Sequence, residues 1–101
     1  MNKDELNLVQ SLKIDKERVH RFEEGLDEYG ILILGRGESL FFQKNEKALI
    51  CHISAIHAEL DASTIKKWDN KKSLSPAEKT KTVDEIAKFY KKAYKDDLKV
   101  S

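Results

Sequence analysis

Cysteine occurs once in this chain, at Cys51, so no internal disulfide can close. That absence suits a reducing compartment. The single proline and four glycines exclude a flexible linker or a low-complexity protein, and no internal repeat is visible. The apolar run Ile31 to Leu34 is far too short to cross a bilayer. No apolar stretch follows the opening Met1-Asn2-Lys3-Asp4-Glu5, so no secretory signal is expected. Together these gaps predict a cytoplasmic protein with no membrane partner.

What is present is charge. Charged residues make up 37% of the 101 positions and hydrophobic ones 40%, which is too apolar for a disordered tail. A chain of this length reads as a single domain over residues 1–101. By size scaling it buries about two-thirds of its surface, which leaves little room for a deep, water-excluding site. The net charge of +1 is unevenly spread. Residues 1–30 carry five basic and eight acidic side chains, residues 31–70 five of each, and residues 71–101 nine and five. This polarity favours an oriented encounter with a charged partner, and it also allows the two ends to attract each other within the fold.

Leu6, Leu8, Val9 and Leu12 outline a first helix over residues 3–12. Asp15 has the chemistry of an N-cap, and Val19, Phe22, Leu26 and Tyr29 follow at spacings of 3, 4 and 3. This pattern predicts a second helix stopped by Gly30. The competing reading makes residues 17–24 a strand, because Val19, Arg21 and Glu23 also alternate with His20 and Phe22. The middle reads as β. Ile31–Leu34 is a strand, Gly35-Arg36-Gly37 a tight turn, and Leu40 and Phe42 share one face of a second strand. After a polar turn at Lys44-Asn45-Glu46, a long strand runs from Lys47 to about Asp61. Its apolar parity switches from Leu49, Cys51, Ile53 and Ala55 to Ile56, Ala58 and Leu60, which predicts a bulge or bend near Ser54-Ala55. Asp61–Thr64 opens a short helical turn with Ile65 and Trp68 inward. Ser75-Pro76-Ala77-Glu78 combines an N-cap, a first-turn proline and a capping-box glutamate. The helix that follows buries Val83, Ile86, Tyr90 and Ala93 and ends near Lys95, with Asp84 and Lys88 as an i,i+4 pair. The fold class is α+β: N-terminal helices, a meander of about three antiparallel strands with a bent last strand, a Trp-containing turn and a C-terminal helix.

Few residues carry reactive chemistry. Cys51 and His52 are adjacent on a strand and point to opposite faces, so they cannot form a dyad, and Cys51 falls on the core face. His52 and His57, with Glu59 and Asp61 nearby, have metal-ligand chemistry, but strand rise separates them. Gly35-Arg36-Gly37 leads into a strand, whereas a phosphate cradle leads into a helix. No catalytic residue, metal or cofactor is therefore expected, and the chain reads as a binder. Lys88, Lys91, Lys92 and Lys95 offer a basic helix end that suits phosphates, although the helix dipole alone also favours it. Glu23, Glu24, Asp27 and Glu28 crowd what the helical reading makes a helix C-terminus, where negative charge opposes the dipole. Folding does not recommend that arrangement, which makes these four residues the candidate partner-binding surface.

The stretch from Lys47 to Tyr94 resembles the second half of small immunity proteins of bacterial toxin–immunity systems, including those of contact-dependent growth inhibition. The resemblance rests on a strand feeding Ser63-Thr64-Ile65-Lys66-Lys67-Trp68-Asp69, then a polar loop and the helix start Ser75 to Glu78. It implies a cytoplasmic protein that neutralises one cognate toxin, often a nuclease, and it transfers no functional residue. A nucleic-acid-associated or regulatory domain using the basic helix is the alternative, and a small enzyme centred on Cys51, His52 and His57 the third reading.

Overall fold

In the computed structural model, which describes residues 2–101, one mixed sheet lies between two helices. The order is α1 (Lys3–Lys13), β1 (His20–Glu24), β2 (Asp27–Leu34), β3 (Ser39–Lys44), β4 (Lys47–Ser54), β5 (Glu59–Asp61), a 3-10 turn (Ala62–Thr64), α2 (Pro76–Tyr94) and β6 (Lys99–Val100). The six strands lie in sequence order, β1 through β6. Successive pairs are antiparallel except β5 with β6, which is parallel and needs the crossover through α2.

Each helix starts as its end chemistry dictates. Asn2 caps α1 by accepting the Glu5 N–H at 2.8 Å. Ser75 Oγ accepts the Glu78 N–H at 3.1 Å, with Pro76 in the first turn of α2. α2 ends at Lys95, whose left-handed backbone (φ 59°) turns its N–H back to the Lys91 carbonyl.

Register divides the sheet residues between two cores. Tyr29, Ile31, Leu40, Phe42, Leu49, Cys51, Ile53 and Leu60 meet Ile86, Phe89 and Tyr90 of α2, with Ile65 and Trp68 in the same cluster. On the opposite face, Phe41, Ala48 and Val19 meet Val9 and Leu12 of α1. The expected Val83 and Ala93 pack at the edge of the larger core, and Thr82 and Phe89 are buried with Ile86 and Tyr90.

The expectation of α+β holds, and its detail is corrected in three places. The second helix does not form: residues 20–34 are a β-hairpin. Asp15 does cap backbone N–H groups, those of Glu17 and Arg18, but at a bend. Alternation of His20, Phe22 and Glu24 with Arg21 and Glu23 wins because Gly25 adopts φ +63°, which reverses the chain. The meander consequently has five antiparallel strands where about three were expected. The parity switch near Ser54-Ala55 is a full reversal between β4 and β5 and not a bulge, since a tight turn resets parity just as an inserted residue does. Ala58 takes φ +52° in that turn, so no glycine marks it in the sequence.

Candidate functional site

The four acidic residues singled out from the sequence flank the tip of the β1–β2 hairpin. Gly25 and Leu26 form the two-residue loop, with positive φ at the first position only, as in a type II′ turn. Glu24 faces Asp27 across the ladder and Glu23 faces Glu28. Leu26, at the apex, is 102% exposed. Gly25 has nothing within 4 Å of a built Cβ, so its backbone angle and not crowding calls for glycine there.

The four carboxylates are not equivalent. Glu24 is bound by the ammonium of Lys88, with Lys92 at 3.8 Å, and the Lys88 hydrogen bond holds its carboxyl below the usual range. Asp27 accepts from Asn45 Nδ2 at 2.9 Å. Asn45 also exchanges bonds with Glu28, accepting its N–H at 2.9 Å and donating its own N–H to the Glu28 carbonyl at 2.8 Å. Glu23 and Glu28 have no cation within 4 Å among the described residues, and like charges directly opposite in a sheet repel.

Beside this pair lies an open basin of about 450 Å³ between the C-terminal end of α1 and the hairpin, lined by Lys13, Lys16, Arg21, Glu23, Glu28 and Gln43 among others. Its floor is set by Arg21. The guanidinium donates to the carbonyls of Leu12, Lys13 and Asp15 at 2.7, 3.0 and 3.1 Å and to Gln43 Oε1 at 2.6 Å. Arg21 thereby closes the end of α1 from the sheet face on which that helix packs. It crosses directly over Gly30, where a Cβ would meet Nη1 at 2.5 Å.

The other sequence candidates fall elsewhere. Cys51 is buried against the α2 core, and burial pushes its thiol up to about 12. His52 is exposed on the opposite face and pairs in register with Asp61. His57 is exposed in the β4–β5 turn. Among the described residues no three His, Cys, Asp or Glu side chains converge as a metal site, and no helix is long and apolar enough to cross a membrane. Of the basic residues on α2, Lys88 and Lys92 face Glu24, and Lys91 bonds Asp97 at 2.9 Å. Lys95 Nζ donates to the Lys92 carbonyl. The expected Asp84–Lys88 pair gives way to Lys88–Glu24.

The Trp-turn segment is occupied with holding the molecule together. Ile65 and Trp68 are buried, and Thr64 Oγ1 accepts the His52 N–H. Lys47 Nζ lies 4.6 Å from the Trp68 ring centroid, and the indole Nε1 is buried near the Glu78 carboxylate, with no well-formed hydrogen bond among the described residues. Asp69 accepts the Ala48 N–H at 3.0 Å and Gln10 Nε2 at 3.1 Å and binds Lys13, so it ties α1 to β4. Sequence reasoning missed Leu26, Arg21 and Asn45. The run Glu23-Glu24-Gly25-Leu26-Asp27-Glu28 does carry a hairpin signal, glycine opening a two-residue loop between alternating segments. No family model, curated protein or solved structure matches this chain.

Proposed function

We propose that this chain is an immunity-type protein that binds a cognate toxin domain in the cytoplasm and neutralises it without catalysis, by covering its active site or substrate surface. The observation that supports this reading best is the β1–β2 tip. A fully exposed leucine stands between two pairs of acids, and one pair sets like charges opposite each other with no cation within 4 Å among the described residues. Stability alone does not select that arrangement. A basic partner surface, such as the phosphate-binding face of a nuclease, relieves the Glu23–Glu28 repulsion on contact. The acids then steer the encounter and Leu26 supplies an apolar anchor. The resemblance of the Trp-turn segment to immunity proteins points the same way, although its residues here serve packing.

The test is capture from the native cell with the wild-type chain and with a variant carrying Glu23→Lys, Leu26→Ser and Glu28→Lys. The wild type is expected to retain a basic toxin domain and to block its activity, and the variant to lose association rate and its salt dependence. Equal capture by both sinks the site assignment, and failure of the captured protein to be inhibited sinks the function.

A further inference from the structure

Strand β1 is one edge of the sheet, and its outward backbone groups can be identified. The N–H and C=O of Glu28 both bond Asn45, away from β1. Glu23 and Glu28 are therefore a non-hydrogen-bonded pair, and the N–H and C=O of Glu23 point to the open edge. Alternation puts the backbone of Arg21 on the same edge, and no described residue bonds either set. Such a row templates a further strand, and proteins commonly guard it with charge.

Here the charges disfavour some symmetric pairings more than others. A two-fold antiparallel pairing centred on Arg21 sets two arginines opposite each other, and one centred on Glu23 sets two glutamates opposite each other. Centring on Phe22 sets Arg21 against Glu23 and His20 against Glu24 of the other copy, with the half-buried Phe22 rings meeting on the axis. In that register Arg21 and Glu23 exchange both backbone bonds across the axis, four in all, and residues of opposite charge stand opposite each other while the Arg21 guanidinium keeps its bonds to the α1 carbonyls and Gln43. We infer that β1 pairs with β1 of a second copy of this chain, in this register, to make a continuous twelve-stranded sheet. The interface is isologous, and the exposed Leu26 tips point to opposite ends of the dimer.

The experiment uses the protein alone, so its outcome is independent of the toxin reading. Sedimentation across a concentration series is expected to show a species of twice the 11.7 kDa chain mass. Hydrogen exchange is expected to show the Arg21 and Glu23 amides becoming protected as it forms. Glu23→Pro removes only an outward N–H, a position where an edge strand tolerates proline. With two bonds lost per dimer, the dissociation constant is expected to rise about thirty-fold, while circular dichroism and the melting temperature report an intact monomer. If that variant does not fold, Glu23→Arg, which sets like charges opposite in the same register, is expected to weaken the dimer instead. A chain that stays monomeric at millimolar concentration overturns the inference. So does a dimer indifferent to the folded Glu23 variant, or edge amides protected only by a different protein.

Discussion

Arg21 shows how one side chain determines what its neighbours must be. Its guanidinium reaches three carbonyls at the end of α1 only because Gly30 leaves space beneath it. Gly30→Ala places a Cβ 2.5 Å from Nη1 and 3.0 Å from Val19 Cγ1, and moving the guanidinium forfeits those bonds. We expect a loss of about 2 kcal/mol in urea unfolding, shrinking when Arg21→Ala is already present. Asp69 allows a pH prediction. Burial pulls its carboxyl up, but the Lys13 ammonium, the Ala48 N–H and Gln10 outweigh that and hold it below the usual carboxylate value. Its side chain is only 6% exposed, so the pairing is weakly screened. A depressed folded pKa means the unfolded state takes up the proton first. The stabilisation is present above the ordinary value of 3.8 and is lost as pH falls through the folded value. Asp69→Asn should therefore cost about 2 kcal/mol at pH 7, and its gap from wild type should narrow below that ordinary value. A constant gap in acid denaturation contradicts this.

Among the elements, the β1–β2 hairpin sets like charges opposite each other. Glu23→Gln removes the like-charge partner of Glu28, and at protein concentrations too low for self-association it should stabilise the fold by roughly 0.5 kcal/mol, less at high salt. A neutral or destabilising result in dilute urea titrations would mean that the pair carries no strain. How much of these elements was legible depends on the kind of signal. The bounds of α2 could be read because Ser75, Pro76 and Glu78 announce its start locally, whereas its buried face was read only in part. The β3–β4 turn was legible for the same reason. The β1–β2 hairpin was not, because Val19, Phe22, Leu26 and Tyr29 satisfy a helical period by coincidence, and Leu26 points to solvent. The one local signal for strand is Gly25 opening a two-residue loop, and the pairing of β2 with β3, out of reach of a local window, reinforces it. The four acids were singled out for a helix-dipole reason that does not apply, because they stand on a hairpin. A cross-strand repulsion stands in its place.

On the scale of the whole molecule, the uneven charge along the chain is partly folded back on itself, with Glu24 of the acidic third held by Lys88 and Lys92 of the basic third. The two cores are unequal as well. α1 buries only Val9 and Leu12, whereas α2 closes the larger cluster. α1 should therefore open locally before the sheet does, so its amides should exchange faster than those of β2 to β4. Leu12→Ala should lower protection in α1 while leaving β2 to β4 nearly unchanged, and a uniform loss across both would show one cooperative unit. Trp68, the single tryptophan, sits where these two halves join, within the α2 core and next to the Asp69 that tethers α1. Its indole has a cation over the ring and an N–H shielded from water. The molecule thus carries its own lamp at the joint: the colour of its ultraviolet emission is set by the Lys47 field and by dryness. When α1 lifts away, that light should shift while the backbone signal of the sheet stays unchanged.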